Sequence, residues 1–350
     1  MEDNTKKMEI WLKKRGKVNF TILMIILLLI LLLAIIISLS MGKYSVSPTN
    51  VVSILLSNIF PVRITWTDTM FRVIMLHRFP RIIAAILVGG ALSLSGTTFQ
   101  GVFRNPLVSP DLLGVSMGAC VGAAISILLG FGDIGNILLS FLGGILAVSI
   151  TVMFPILINN KSTITLVLSG VIVGGFFASI LGLLKYIADS DTELAAITYW
   201  QLGSLSRMRI DFLLFIAPII FITGFIIYLL RWRINVISLG DQEAKSLGIN
   251  LYKERGILIV CSTLLTAAAV CISGTIGWIG LIIPHITRMI VGQDNKKIIP
   301  ASTIIGASFL IIVDTISRNL TGAEIPLGII TGFVGTPFFA FVLMKQRKKE

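Results

Sequence analysis

The sequence predicts an all-α, polytopic membrane protein with about ten transmembrane helices. Of its 350 residues, 55% are hydrophobic and only 13% are charged, whereas a soluble domain is usually about 25% charged. The mean hydropathy is +0.95. Apolar runs long enough to cross a bilayer, which takes about 20 helical residues, recur along the whole chain. We therefore expect a single transmembrane domain over residues 1–350.

Nine apolar runs are candidate spans. The first, 18–42, lacks a small-residue cleavage site and is expected to be a span rather than a cleaved signal. The run 256–287 is too long for one span, because its 32 residues would reach about 48 Å as a helix against a core of about 30 Å. Ser273, Gly274 and Gly277 lie within it, and a break there gives ten spans. The other runs are 82–103, 112–132, 134–160, 162–184, 212–230, 298–313 and 325–344.

The distribution of Lys and Arg predicts the orientation of these spans. The basic tail at 1–17 and the basic end after residue 344 are both expected in the cytoplasm, which requires an even number of spans. With ten spans, 20 of the 29 Lys and Arg residues lie on the cytoplasmic side. The net charge of +12 is then a signal of orientation and of contact with anionic membrane lipid, not of nucleic-acid binding.

Two polar segments are predicted to lie outside the membrane on the extracytoplasmic side. The segment 43–69 contains a short amphipathic run. The segment 188–211 contains Tyr199-Trp200, which is typical of a helix at the interface with its aromatic rings at headgroup depth.

The polar segment 231–255 is predicted to be a cytoplasmic insert. Asp241 is expected to cap a helix of about two turns over 241–247. Gly248 is a candidate for the residue that ends this helix in a left-handed conformation. A connection between two spans rarely needs such a helix, so we interpret the insert as a contact site for a partner.

Small residues are frequent in the apolar runs. They favour close packing of helices, and those around Asn105-Pro106 and Gly274–Pro284 could also permit broken helices that line a pathway. The cysteines, Cys120, Cys261 and Cys271, lie within apolar runs. We expect them to be small buried hydrophobes rather than disulfides or metal ligands.

Several short motifs occur in a fixed order along the chain. They are Arg78-Phe79-Pro80-Arg81, Asn105-Pro106-Leu107, Pro110-Asp111-Leu112-Leu113-Gly114, Tyr199-Trp200, Leu239-Gly240-Asp241, Pro284-His285 and Glu324-Ile325-Pro326-Leu327-Gly328. Each is weak alone. In this order and spacing, from about residue 70 to residue 344, the chain closely resembles the FecCD-type permease subunits of ABC importers for ferric siderophores, haem and cobalamin. The resemblance implies the type II ABC importer permease fold.

The resemblance also implies partners and a location. Two permease subunits, the same chain twice or a paralogue, would form a pathway across a bacterial cytoplasmic membrane. Two cytoplasmic ATPases would bind ATP and Mg, and an extracytoplasmic binding protein would deliver an iron–siderophore or similar chelate. The sequence itself has no Walker-type Gly-x-x-x-x-Gly-Lys motif, so we expect a translocation subunit, not an enzyme, without a cofactor or metal site of its own.

Two groups of residues are expected to act on the cytoplasmic side. The resemblance places the ATPase contact on the insert, at Leu239, Gly240, Asp241, Ala244, Leu247 and Gly248. Ala244 and Gly248 would allow close approach, and Leu247 would provide an apolar anchor. The family likeness also puts residues 163–205 along the pathway, with Thr163 and Thr165 as candidates for an inner gate.

Three arginines are candidates for the outer face. Arg78, Arg81 and Arg318 lie at the outer ends of spans, against the usual bias of positive charge toward the cytoplasm. In the family, arginines at matching positions receive carboxylates of the binding protein, and the guanidinium fork suits that role. The alternative for Arg318 is a local pair with Asp314, four residues earlier.

Two other classes of function stay open. An ion-coupled secondary transporter would need acidic residues inside the membrane, and Asp314 is the only such candidate within a predicted span. A scaffold or receptor subunit of a membrane complex would have no translocation role.

Overall fold

The computed structural model describes residues 19–160 and 162–347. Within these two ranges the chain forms fourteen α-helices and no strands. The helices are α1 (Phe20–Ser40), α2 (Pro48–Ser57), α3 (Asp68–Arg72), α4 (Phe79–Val102), α5 (Val115–Leu128), α6 (Gly132–Leu157), α7 (Thr163–Ile187), α8 (Glu193–Leu202), α9 (Ile210–Leu239), α10 (Asp241–Ser246), α11 (Leu251–Ser273), α12 (Ile279–Val291), α13 (Asn295–Asn319) and α14 (Leu327–Arg347). A π-helical turn, Val73–Arg78, joins α3 to α4, and a 3₁₀ turn, Pro110–Leu113, precedes α5. The basic tail predicted at 1–17 lies outside the described residues.

Ten of these helices account for the predicted spans. Seven are long and apolar enough to cross a membrane: α1, α3 continued through α4, α6, α7, α9, α11 and α13. The shorter apolar helices α5, α12 and α14 complete the set in the predicted order. Helices α2 and α8 lie within the segments 43–69 and 188–211. The all-α polytopic fold is therefore confirmed.

Several helices begin where a short polar side chain precedes an apolar run. At such positions a side-chain oxygen accepts a hydrogen bond from a free backbone N–H of the first turn. Asn19 accepts from Thr21 at 3.2 Å before α1, Ser162 accepts from Ile164 at 3.2 Å before α7, and Asn250 accepts from Lys253 at 3.1 Å before α11. Local sequence thus sets these helix starts.

Helix α4 is the centre of the bundle. All but three of its 24 residues are buried, and it packs against α9, α11, α12 and α13. The Ser95 hydroxyl lies 2.8 Å from both the Ser262 carbonyl oxygen and the Thr266 hydroxyl of α11. In contrast, α1 and α6 bury few residues, which suits helices that face lipid.

Glycine allows the closest helix contacts. A methyl group at Gly96 of α4 would overlap the backbone carbonyl of Gly280 in α12. Another at Gly122 of α5 would overlap the Leu139 carbonyl of α6. These pairs of helices approach backbone to backbone, so the predicted packing role of small residues is confirmed.

Two of the spans are too short to cross the bilayer as helices. The run 256–287 is broken as predicted, since α11 ends at Ser273 and α12 begins at Ile279. Helix α12 has 13 residues and α5 has 14, so each is about 20 Å long against a hydrocarbon core of about 30 Å. Irregular segments, 103–109 and 274–278, precede the 3₁₀ turn before α5 and helix α12.

Candidate functional site

The polar segment 231–255 contains a separate short helix, α10. Its residues, Asp241–Ser246, agree with the helix predicted over 241–247. Gly248 has a φ of +76°, and its N–H donates to the Lys245 carbonyl oxygen at 2.9 Å, so it ends the helix as predicted. Most of the rest of the segment is helical too, because residues 231–239 continue α9 and residues 251–255 begin α11.

Asp241 does not cap α10, and that prediction is wrong. The residue before the helix is Gly240, and no side chain caps the first turn. The Asp241 carboxylate instead forms a bidentate pair with Arg255, with Nη2–Oδ1 at 2.6 Å and Nη1–Oδ2 at 3.1 Å. Nη2 of Arg104 lies 3.1 Å from the same Oδ1. The hydrogen bonds from Arg255 lower the pKa of the Asp241 carboxyl, so it is ionised at neutral pH.

The two faces of α10 are clearly different. Ala244 is fully buried against the chain itself, so it does not offer the exposed contact predicted for it. Leu247 is 59% exposed and Leu239 is 66% exposed, and the space around Gly248 is open. The residues open to a partner are therefore Leu239, Gln242, Glu243, Lys245, Ser246, Leu247 and Gly248.

The segments beside α10 are joined to the body by polar contacts. Arg233 pairs with the buried Glu254. Nδ2 of Asn235 donates to Asp294 at 2.7 Å, and Oδ1 of the same amide accepts from the Asn295 N–H at 2.7 Å. These contacts fix the end of α9 that precedes α10 against α11 and the start of α13.

The three outer arginines are buried. Arg81 directs Nε to Asp314 at 2.7 Å and Nη1 to both carboxylate oxygens of Glu324 at 2.9 Å. Arg318 pairs with Asp314 at 3.1 Å, as the local-pair alternative predicted. Arg78 donates to the carbonyl oxygens of Leu39 and Tyr44, both at 2.5 Å. Each guanidinium is therefore bonded within the chain.

Because they are buried, the three arginines are poorly accessible to a partner protein. Their exposed fractions are only 6%, 6% and 8% for Arg78, Arg81 and Arg318. Glu324 is the more accessible member of the cluster, with 31% of its side chain exposed. A docking carboxylate would have to reach Arg81 past Glu324. The docking role of the arginines stays a prediction, and Glu324 is the residue of this cluster that the sequence did not single out for it.

The predicted inner gate lies at the start of α7. The backbone of Thr163 begins this helix, but its side chain lies outside the described residues. Thr165 is partly buried, and its carbonyl oxygen accepts from the Ser169 hydroxyl at 2.8 Å. The gating role stays a prediction.

The two irregular segments meet at a cavity beside α4. It has a volume of about 280 Å³ and is lined by Leu92, Ser109, Pro110, Asp111, Thr266, Ile276, Gly277, Trp278, Gly280 and Leu281. Leu92 lies ten residues before the end of α4, which is about 15 Å along the helix. In a membrane protein, non-helical backbone between spans is tolerated where protein buries it or where it lines a cavity. The predicted broken helices are therefore present.

Asp111 is a further acidic residue of interest because it lines this cavity, although it lies before α5 and not within a span. Asp111 is the second residue of the turn before α5 and accepts a hydrogen bond from the Ser116 hydroxyl. The sequence placed it just before a span, as the structure does, but the cavity that it lines was not readable from hydropathy.

The cysteines are buried and unpaired, as predicted. Among residues 19–160 and 162–347, no three His, Cys, Asp or Glu side chains are grouped so that they could hold a metal ion.

Comparisons with known proteins agree with this architecture. Residues 29–345 match the model of the FecCD transport family. The chain is 37% identical over 312 residues to the molybdate import system permease protein MolB of Haemophilus influenzae, covering 89% of this chain and 92% of that protein. It is 42% identical over 276 residues to a protein of Helicobacter pylori named a probable iron chelatin transport system permease, covering 79% and 83%.

A solved structure has the same fold. It is described as an inward-facing conformation of an ABC transporter of the metal-chelate type, and it superposes with a TM-score of 0.83 at 36% sequence identity. The likeness covers 92% of this chain and 99% of the other. The chain has ten spans, two of them short and preceded by irregular segments, and a glycine-flanked helix between the sixth and the seventh. With a family model that matches residues 29–345, this chain belongs to the FecCD transport family.

Proposed function

We propose that the chain is the translocation subunit of a binding-protein-dependent ABC importer, and that its cargo is a metal chelate such as a ferric siderophore. Helix α10 carries this proposal. It is a six-residue helix outside the spans, with glycine at both ends and an exposed apolar residue, Leu247. Such a helix suits insertion into a cleft of a partner that moves it.

In this proposal the partner is an ATPase. Leu247 would be the apolar anchor of the contact, and Glu243 and Lys245 would form its polar rim. ATP and Mg would be bound by two such cytoplasmic subunits, and this chain would have no ATPase activity of its own. Movement of α10 would open the pathway to one side of the membrane and then to the other.

A second permease subunit would complete the pathway. Helices α7 and α14 carry large exposed apolar side chains, including Val171, Phe176, Leu183, Phe333 and Phe341. A second copy or a paralogue would cover part of this surface and lipid would cover the rest. The end of α8 supports a role beside the pathway, because the Ser204 N–H donates to the Ser273 carbonyl at 2.8 Å, at the break between α11 and α12.

The outer cluster would be the site of the binding protein. A carboxylate of that protein would pair with Arg81, and Glu324 would have to move aside. The cluster holds three arginines and two carboxylates, so a net positive charge is left for an acidic partner.

The alternative function, that of an ion-coupled transporter, has little chemical support. Asp314 is bonded to Arg81 and Arg318 and is not free to exchange an ion. Asp111 lines a cavity and would be the group that such a mechanism needs. Uptake that stops with an uncoupler and continues without ATP would establish this rival.

The test is reconstitution in proteoliposomes with the ATPase and the binding protein encoded beside this gene. Uptake would be measured with ferric siderophores, haem, cobalamin and molybdate, the last because a relative is named for it. We expect ATP-dependent uptake of an iron chelate. ATP-dependent uptake of molybdate alone would show that the proposed cargo is wrong. If none of the four substrates were taken up with ATP, the proposed function itself would be wrong.

A further inference from the structure

Helix α10 is joined to its neighbours by two flexible connections. Gly240 precedes it with a φ of +149°, and Gly248 follows it with a φ of +76°. Glycine adopts such conformations at little cost and has a wide range of backbone angles. The backbone connections to α9 and α11 are therefore too flexible to determine how a movement of α10 would move these two helices.

Side chains supply the firmer connection. Ala244 is fully buried, but a methyl group provides little resistance to rotation. The Asp241 carboxylate, in contrast, is bonded on one side to Arg255, in the first turns of α11, and on the other to Arg104, just beyond α4. One carboxylate thus joins α10 to two different spans.

The ion pair between Asp241 and Arg255 is expected to be stronger than a usual ion pair on a protein surface. Isolated exposed ion pairs contribute little, but bidentate arginine–carboxylate pairs and networks are exceptions. Asp241 and Arg255 share two hydrogen bonds, and the Arg255 side chain is only 18% exposed. Arg104 holds a φ of +52°, a conformation uncommon for a residue other than glycine.

The two spans lead from this contact to the cavity beside α4. Helices α11 and α4 are bonded to each other through Thr266 and Ser95. Helix α4 touches the start of α12 at Gly96 and Gly280. Thr266 and Gly280 both line the cavity. A displacement of α11 and α4 together would therefore change the wall of this cavity.

We propose that Arg104, Asp241 and Arg255 form the joint that passes the movement of α10 to α4 and α11. This inference rests on the proposed function, because it assigns the route by which work from an ATPase reaches the pathway. Asp241 is a positioning residue here and not a docking contact, and Arg104 and Arg255 are its two anchors.

The test uses the whole transporter, with permease, ATPase and binding protein, in proteoliposomes. Substrate transported per ATP hydrolysed would be measured for Asp241→Asn, Arg255→Gln, Arg104→Gln and their double variants. We expect Asp241→Asn to lower this ratio about fivefold or more, as for typical coupling between sites, with ATP hydrolysis and ATPase binding retained. Arg104→Gln and Arg255→Gln should each add little in the Asp241→Asn background, because the contact is already lost.

Two further variants separate geometry from charge and from folding. Arg255→Lys keeps the charge but cannot form the bidentate pair, and it should lie between the wild type and Arg255→Gln. Lys253→Gln is the matched control, since this exposed cation is in the first turn of the same helix and is not bonded to Asp241. It should leave the ratio unchanged.

Several results would overturn the joint. They are an unchanged ratio in Asp241→Asn, additive losses in the double variants, or loss of ATPase binding in Asp241→Asn, which would make Asp241 a docking residue. Failure of the wild-type transporter to couple ATP hydrolysis to uptake would instead count against the proposed function, and the two failures are thereby distinguished.

Discussion

Buried charges at the outer ends of the spans are held by one another. Asp314 is fully buried and accepts from both Arg81 and Arg318. A buried ion pair is not in itself a large source of stability, but removing one partner leaves an unpaired charge in a poor environment. The primary role of Asp314 in this conformation is therefore to neutralise two arginines.

The variant Asp314→Asn tests this role. It leaves Arg81 and Arg318 without their shared carboxylate, so we expect a loss of about 3–5 kcal/mol in stability, typical of a broken buried pair. Thermal unfolding of the purified permease in lipid nanodiscs would measure it. The control is Asp68→Asn, at an exposed carboxylate, which should leave unfolding nearly unchanged. Equal unfolding temperatures for the two variants would contradict the assignment.

At the scale of elements, the orientation of α10 decides which residues reach a partner. Ala244 faces the body of the protein and is buried, whereas Leu247 is exposed. The helix is so short that the buried and the exposed residue are only three positions apart. Substitutions on opposite sides of one helix should therefore have different consequences.

The pair Leu247→Asp and Ala244→Asp separates these consequences. Leu247→Asp should leave the fold intact and weaken ATPase binding about tenfold, because an apolar anchor is lost at a cost of about 1.4 kcal/mol. Ala244→Asp buries an unpaired carboxylate and should lower the stability of the permease itself. Binding assays and thermal unfolding would be run on both variants. Leu320→Asp, at an exposed outer position, is the control for binding, and normal ATPase binding by Leu247→Asp would disprove the assigned face.

At the scale of the whole molecule, the ten spans define two sides. Ser190 lies in the segment 188–211, five spans from either end of the chain. Ser246 lies in α10, after six spans and before the last four. With both ends in the cytoplasm, the odd number places Ser190 outside and the even numbers place Ser246 inside. The native cysteines are buried, so they should not react with a polar thiol reagent. This arrangement makes the orientation directly measurable.

Single cysteines at these positions test the orientation. With a membrane-impermeant maleimide applied to intact cells, Ser190→Cys should be labelled at once, because the positive-inside rule places it outside. Ser246→Cys should be labelled only after the membrane is opened. Labelling of the unsubstituted protein measures the background, and the reverse pattern would overturn the proposed topology.

The sequence by itself determined the spans, the break in 256–287, the position of α10 and the conformation of Gly248. These features depend on hydropathy, charge and glycine over adjacent residues, and such signals are local. It did not determine that Asp241 binds Arg104 and Arg255, that Ala244 is buried or that Asp111 lines a cavity.

Only the tertiary structure decided those features. Arg81 is 233 residues from Asp314 and 243 residues from Glu324, and no local pattern connects them. The partners of a buried charge are set by which helices pack together, and here glycine contacts such as that of Gly96 with Gly280 bring distant helices within bonding distance. Hydropathy can place a residue along the chain, but only packing determines what it faces.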